Sequence, residues 1–348
     1  MTDQKITTLG DAKGPLFWGI DVGGTNIKIG LVDDCGSTLA FDKIRTNEAD
    51  GPDVAMRRMV EAAGDITEKL GIDPTRVSRV GLGTPGSMDL PKGTLVTPPN
   101  LPNWWHFPIR DFVGDLMKLP VSFVNDANAA AYGEYWIGAG QQHDSMIMLT
   151  LGTGVGGGVI VHGELVNGVN SFGSECGHAI VDSRPDARLC VWGGGRGQLE
   201  AYASASAVVA RTRDRLVAGE QSALSGLLGG ADSELTALRI YQAASEGDGL
   251  AIDIIDETAS WLGIGITTFI HLLDPGLVVL GGAMDFGGGD DPIGQRFLNR
   301  TAEAFKRRTE QHVFEGTQLM FATLGGDAGY LGAAGFARHQ HHRAPQMR

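Results

Sequence analysis

The sequence predicts an α/β chain built from two similar halves, and three observations predict it. Residues 121–134 open with an alternating apolar run at Val121, Phe123 and Val124. They break at Asn125-Asp126 and continue as Ala127-Asn-Ala-Ala-Ala-Tyr-Gly-Glu134, rich in the best helix former. That pattern reads strand, polar corner, helix, and such a corner holds a short carboxylate at the mouth of a sheet, where ligands bind in α/β folds. Glycine hairpins occur twice, at Gly23-Gly-Thr-Asn26 and at Gly152-Thr-Gly-Val-Gly-Gly-Gly158, about 130 residues apart. The length, 348 residues with 42% hydrophobic content, suits two domains with substantial cores.

Taken in order, residues 1–14 read as a loose leader. Residues 17–22 alternate as a strand, Gly23–Asn26 turn the chain, and 27–32 return as a second strand. The glycine pair lets backbone approach a ligand closely. Thr25 adds a hydroxyl and Asn26 an amide at the tip, and Asp21 before the turn can hold Mg²⁺ through water. An ordinary structural hairpin has the same signature. Residues 37–46 suggest a third strand; Val54, Met59, Val60, Ala63, Ile66 and Leu70 recur at helical spacing, with Gly71 as the stop. A short strand, 80–83, runs into the tight turn Thr84-Pro-Gly-Ser87. Asn100 follows in a proline-rich loop beside Trp104 and Trp105, which form either a sugar platform or a plug over a core edge.

At the 125–126 corner, Asp126 either caps the helix or acts on a ligand. Residues 146–151 form the next strand, 152–158 the second glycine turn, and 159–161 its return. Two loops of bare backbone N–H groups on opposite walls of a cleft between the halves suit a polyphosphate chain. Neither matches the GxxxxGK[ST] loop or the Rossmann spacing. Glu175, His178 and Glu200 are candidate hydroxyl ligands, although each taken singly reads more readily as a surface carboxylate or a structural histidine. Helices are predicted over 201–217, 235–246 and 250–273. A buried strand at 277–280 ends in Gly281-Gly282, where a nucleoside can pack against backbone. A last strand at 318–324 leads into a helix started by Gly325-Gly-Asp-Ala-Gly329, and 339–348 read as a mobile tail.

Composition narrows the function. The formal net charge of −13 argues against a general nucleic-acid binder, which needs a basic surface. Cys35, Cys176 and Cys190 are too few and too scattered for a disulfide framework, which fits a reducing cytoplasm. The polar start lacks a signal-peptide core, and the apolar stretch 261–273 is too short to span a bilayer.

Six segments, in this order, carry a resemblance: Asp21-Val-Gly-Gly-Thr-Asn26, Gly83-Thr-Pro-Gly86, Asn125-Asp-Ala-Asn-Ala-Ala-Ala131, Leu151-Gly-Thr-Gly-Val-Gly156, Glu175-Cys-Gly-His178 and Leu280-Gly-Gly282. Together they resemble the ROK family of bacterial glucokinases, hexose and N-acetylhexosamine kinases and sugar-responsive repressors. The resemblance implies an actin-like, ribonuclease-H-like fold of two α/β domains with a hinged cleft. The domains expected are 15–125 and 126–326, with a C-terminal helix, 327–338, packing back on the first. It implies ATP-dependent phosphorylation of a sugar hydroxyl, with Asp126 as general base. By the same resemblance Asn100, Asn125, Glu175, His178 and Glu200 match sugar ligands, and Gly281 and Gly282 match the nucleoside loop. Gly23, Gly24, Thr25 and Asn26, with Gly152, Thr153 and Gly154, match the phosphate loops. Family precedent adds a homodimer.

One departure concerns metal. The family often holds a structural zinc with three thiols and a histidine. The corresponding thiol positions here are Cys190, Trp192 and Gln198, so only Cys190 and His178 remain and no structural zinc is expected. Trp192 is expected to pack where metal would have ordered the loop. The repressors' helix-turn-helix has no counterpart in residues 1–16. The expected reaction is transfer to the 6-OH of glucose, with N-acetylmannosamine, N-acetylglucosamine or fructose as alternative acceptors and polyphosphate as an alternative donor. A sugar sensor without turnover is the non-enzyme alternative.

Overall fold

A computed structural model describes residues 6–191, 193–228 and 234–344. In chain order the strands are β1 (Leu16–Val22), β2 (Asn26–Val32) and β3 (Thr38–Arg45), then helix α1 (Pro52–Leu70) and β4 (Val77–Thr84). A small ribbon of β5 (Ser87–Asp89) and β6 (Thr94–Thr97), α2 (Ile109–Met117), β7 (Val121–Asn125) and α3 (Asp126–Ile137) follow. Next come β8 (Met146–Leu151), β9 (Val155–Val161), β10 (Glu164–Leu165), α4 (Glu200–Ala203), α5 (Ala205–Val217), α6 (Ala237–Ser245) and α7 (Gly249–Leu273). The chain closes with β11 (Leu277–Gly281), α8 (Pro292–Lys306), α9 (Gln311–Gly316), β12 (Gln318–Phe321) and α10 (Ala328–Arg343).

The two main sheets have one plan. The first runs β3-β2-β1-β4-β7 and the second β10-β9-β8-β11-β12. In each, an antiparallel glycine hairpin supplies the pair β1/β2 or β8/β9, and the two strands beyond β1 or β8 (β4 and β7, or β11 and β12) add in parallel, while β3 joins β2 antiparallel. The internal duplication predicted from the hairpins is therefore a duplication of sheet topology. The chain divides into two compact units, Met1–Gln142 with Leu165–Ser174 and Thr323–Arg348, and His143–Glu164 with Glu175–Ala322. That division places α3 in the first unit, whereas the sequence reading ended the first domain at Asn125.

The reason lies in how α10 is seated. Along β1, Leu16, Trp18, Ile20 and Val22 bury into the core shared with Met56 and Met59 of α1. The alternate residues Phe17, Gly19 and Asp21 meet α10 instead. A Cβ on Gly19 or Gly81 would overlap the carbonyl oxygens of Tyr330 and Ala333, so α10 lies directly on the strand backbone. On its other side α10 meets α3, where a Cβ on Gly332 would overlap the Ala129 carbonyl oxygen. Helix axes this close require glycine at the crossing. Glu134, fully buried in α3, then collects the returning chain. Its Oε1 accepts from Thr323 N at 2.9 Å and Leu324 N at 2.7 Å, and its Oε2 accepts from Thr323 Oγ1 at 3.0 Å and Ala139 N at 2.9 Å.

Several expectations need correction. The described part of the leader is held: Ile6 bridges Thr38, Thr7 N donates to Thr38 O at 3.0 Å, and Leu9 and Ala12 pack on the core. The helix expected over 201–217 breaks at Ser204, whose hydroxyl accepts from Ala207 N at 3.1 Å and restarts it as α5. Only Gly152–Gly154 form the second turn, since Gly156, Gly157 and Gly158 lie in β9 opposite Thr150, Leu149 and Met148. The predicted tail is helical to Arg343, because His341 and His342 pack edge-on against Phe17 and His342 bonds Asp34 at 2.7 Å.

Gly332→Ala should lower stability by about 3 kcal/mol, the upper end of ordinary overpacking, because backbone on both helices would have to separate. Gly64→Ala, in α1 with open space at its Cβ, should instead raise stability by about 0.4–1 kcal/mol. Urea denaturation of both variants reads the contrast; equal effects would dismiss the close-approach account.

Candidate active site

The residues singled out above fall into one set per unit. In the first, β7 ends at Asn125, whose Oδ1 accepts from Ala127 N at 2.9 Å and Asn128 N at 3.4 Å. Asn125, rather than Asp126, is thus the N-cap of α3. Asp126 is the first helical residue, half-buried, with its Oδ1 accepting from Ala127 N at 2.8 Å. A carboxylate in the first turn is favoured by the helix dipole. The other end of the Asn125 amide, Nδ2, donates to Gly86 O at 3.4 Å, and this joins the Thr84-Pro-Gly-Ser87 turn to the corner.

Gly86 has φ +84°, and its Cα faces Pro98 and Pro99 too closely for any side chain. The proline loop is thereby packed against the turn and carries exposed Asn100 onto Gly24 of the first hairpin, where a Cβ would stand 3.1 Å from Asn100 Cβ. Gly24, Gly86, Asn100, Asn125 and Asp126 are therefore linked through consecutive contacts in one unit. The two tryptophans divide: Trp104 is fully buried as a plug, while Trp105 is exposed.

The first hairpin is fixed from below. Gly23 N donates to Asn26 O at 2.9 Å, Thr46 N to Thr25 O at 3.0 Å, and Thr46 Oγ1 to Gly23 O at 2.6 Å. Gly23 thus spends its N–H within the turn, and Gly24 and Thr25 form the tip. Behind it, Asp21 has Lys28 Nζ at 3.9 Å from its Oδ2. Burial pushes the Asp21 carboxyl up, and the Lys28 charge partly opposes this.

In the second unit, Gly152 N donates to Gly154 O at 3.0 Å. Ala205 N donates to Gly152 O at 2.8 Å, and Ser206 Oγ to Thr153 O at 2.8 Å, so the start of α5 clasps the second hairpin. Gly282, at φ +96°, presses on Leu151 immediately before that hairpin, and Met284 N donates to Leu151 O at 3.0 Å. The expected nucleoside loop and phosphate loop are thus neighbours.

Glu200 is joined to the same hairpin. It is 6% exposed, and its Oε2 accepts from Val155 N at 2.9 Å. Its Oε1 accepts from the Cys190 thiol at 2.9 Å, a partner that sequence spacing did not suggest. Glu175 is half-buried, with His178 Nε2 3.9 Å from its Oε2. Burial raises the Glu175 carboxyl above the ordinary range; His178 opposes the rise and the Glu200 charge adds to it.

The family's structural zinc does not fit these residues. Cys190 uses its thiol proton on Glu200, the Gln198 side chain lies against Gly194 and Gly195, and burial pushes the Cys176 thiol up to about 12, away from thiolate. Trp192, expected to fill the metal's place, lies outside the described residues. Among the described residues no group of three or more His, Cys, Asp or Glu side chains is placed to hold a metal ion. None of the described helices is long and apolar enough to cross a membrane.

Comparison with known proteins finds relatives over nearly the whole chain. A glucokinase of Thermotoga maritima is 33% identical over 324 residues, covering 92% of this chain and 97% of that protein. The crystal structure of a ROK family glucokinase from Streptomyces griseus in complex with glucose and AMPPNP is 36% identical, with a TM-score of 0.70, covering 93% of this chain and 99% of that one. A ROK hexokinase from Thermus thermophilus superposes with a TM-score of 0.78 at 31% identity, covering 93% of this chain and 98% of that one. Residues 17–340 match the ROK family as a whole, and this chain belongs to it.

Proposed function

We propose that the protein transfers the γ-phosphoryl group of ATP to a hexose hydroxyl, with glucose as the acceptor and the 6-OH as the attacking group. The observation that carries this reading is the corner at 125–126: the Asn125 side chain caps α3, and the Asp126 carboxylate stands in the first turn of that helix, at the end of β7. Asp126 accepts the hydroxyl proton as the oxygen attacks phosphorus. An ordinary carboxylate suffices where the proton moves late, and holding the hydroxyl in line is then its larger contribution. Asn100, Asn125, Glu175, His178 and Glu200 bind the sugar hydroxyls.

Backbone amides at the tips of the two glycine hairpins, around Gly24 and Thr25 and around Thr153 and Gly154, receive charge that spreads over the phosphoryl oxygens. Gly281 and Gly282 take the nucleoside. Asp21, near the end of β1 just ahead of the first hairpin, is the carboxylate that would hold Mg²⁺, which when bound neutralises phosphate charge. The sugar specificity is read from relatives: the Thermotoga maritima protein is a glucokinase and the Streptomyces griseus enzyme was crystallised with glucose and a nucleotide analogue. A coupled assay for ADP release over glucose, fructose, mannose and the N-acetylhexosamines tests it. Glucose should be the best acceptor; another sugar leading the panel changes the substrate, and no ADP with any sugar rejects the reaction.

Asp126→Asn should keep the fold, since Asn125 remains to cap α3, and lower kcat by about 10²–10⁴-fold. Circular dichroism and steady-state kinetics together check this; near-normal turnover by a folded variant would remove Asp126 from the chemistry. Glu175 sets a pH dependence of known sign. Its carboxyl is raised in the native protein, so its ionised form is disfavoured there. Native stability from this group is present at low pH and fades as pH rises through the raised value. Sugar binding that uses the carboxylate runs the opposite way and strengthens over the same interval. A plot of KM for glucose against pH should fall through a midpoint above about 4.3, the ordinary glutamate value. In Glu175→Gln that fall should disappear.

A further inference from the structure

Hydrogen bonds tie together the described residues on either side of Cys190. Leu189 and Arg196 bridge as an antiparallel pair, Gly197 N donates to Arg188 O at 2.9 Å, and Arg196 Nη1 donates to Ala187 O at 3.0 Å. Cys190 N donates to Gly195 O at 3.3 Å and Gly193 N to Cys190 O at 3.0 Å, so the chain closes tightly around Cys190. Below the loop Asp182 accepts from Tyr202 Oη at 2.6 Å and from Arg184, and Tyr202 Oη accepts from Arg188 N at 2.9 Å. These bonds hold the Asp182 carboxyl well below the ordinary carboxylate range, the Arg184 bond foremost.

At the centre stands the thiol. Cys190 is 1% exposed and its Sγ lies 2.9 Å from Glu200 Oε1. The opposite oxygen of the same carboxylate accepts from Val155 N, the first residue after the second hairpin's tip. A buried carboxylate without donors costs several kcal/mol, and each charge-assisted bond recovers part of that. Two oxygens held by two fixed donors leave the carboxylate one orientation. Each oxygen still has a second lone-pair site for a ligand hydroxyl.

We propose that Cys190 is a positioning residue for Glu200: its thiol donates to Oε1 and fixes the sugar-binding carboxylate against the second glycine hairpin. This rests on the sugar-kinase reading of Glu200. The sulfur is a proton donor here, which excludes it as a thiolate ligand while the bond stands. The Leu189–Arg196 bridge and the Asp182–Tyr202–Arg188 bonds tie the described residues around Cys190 together.

The test uses the full-length protein, with Cys190→Ala, Cys190→Ser and Glu200→Gln. Cys190→Ala should raise KM for glucose about tenfold, the loss of one hydrogen bond to a charged group, with kcat changed far less. Cys190→Ser, which restores an O–H donor, should return KM to within about threefold of the parent, on the same hydrogen-bond scale. Zinc measured by plasma mass spectrometry after dialysis should be well below one per chain. The infrared S–H stretching band should lie at the low frequency of a thiol bonded to carboxylate, vanish in Cys190→Ala and shift upward in Glu200→Gln. That band reads the bond even where no sugar is phosphorylated, so its behaviour separates this inference from the kinase reading. A stoichiometric zinc lost in Cys190→Ala, an S–H band indifferent to Glu200→Gln, or a Cys190→Ala enzyme with unchanged KM would each overturn the proposal. An enzyme with the expected band shifts and no activity toward any sugar would overturn the kinase reading instead.

Discussion

Two hydrogen bonds onto the Asn125 side chain, from Ala127 N and Asn128 N, convert a buried strand into a helix within a single residue. Much of the first unit follows from that conversion. Because β7 is parallel to β4, with Asn125 opposite Thr84, the cap residue stands beside the turn that ends β4, and its amide reaches Gly86 O. The same turn seats the proline loop that brings Asn100 to Gly24. A helix launched from this point must run along α10, and it does so only because Gly133 and Gly332 leave the backbones uncovered. By its third turn it carries Glu134 to the place where the chain returns at Thr323 and Leu324. The carboxylate proposed to act on substrate and the one that secures the returning chain thus sit on one rigid helix.

How much of this the sequence disclosed depends on the range of the interaction. The first glycine hairpin and the 125–126 corner are written in local patterns with boundaries close to those observed, whereas the glycines of β9 extend the apparent second turn four residues into a strand. Their ordered spacing was enough to place the family. The glycines at 19, 30 and 81 have no local signal, since a strand glycine announces nothing until the helix that covers it is known, and that helix lies about 250–310 residues away. The C-terminal histidines looked like a tail for the same reason: their partners, Phe17 and Asp34, are at the other end of the chain. Two other misses were recoverable. Asn125 immediately before an alanine-rich run is a cap signal, and Ser204 followed by Ala-Ser-Ala is another. Glu200 is a candidate through the resemblance, and its bond to Cys190 is hidden in the sequence because a ten-residue separation in a glycine-rich loop has no periodicity to read.

The break at Ser204 explains why the second hairpin can have a rigid tip at all. Were the chain helical without interruption from Glu200 to Val217, Ala205 N would bond the carbonyl four residues back, at Ala201. Gly152 O would then lose its donor, and Thr153 O would lose Ser206 Oγ as the helix swung past it. The cap at Ser204 releases Ala205 N to reach outward, at the cost of one helical bond and with Ala207 N satisfied by the serine hydroxyl. Glu200, in the turn before the break, grips the hairpin at Val155 on its return side. Three bonds from one short segment therefore hold the tip at 152, 153 and 155, and the Glu200 carboxylate proposed to bind sugar makes one of the three. Backbone amides that receive phosphoryl charge must already be in place when the charge develops, since reorganising them would add to the barrier. A helix interrupted at the right residue supplies that rigidity and ties it to the same side chain that the Cys190 thiol orients.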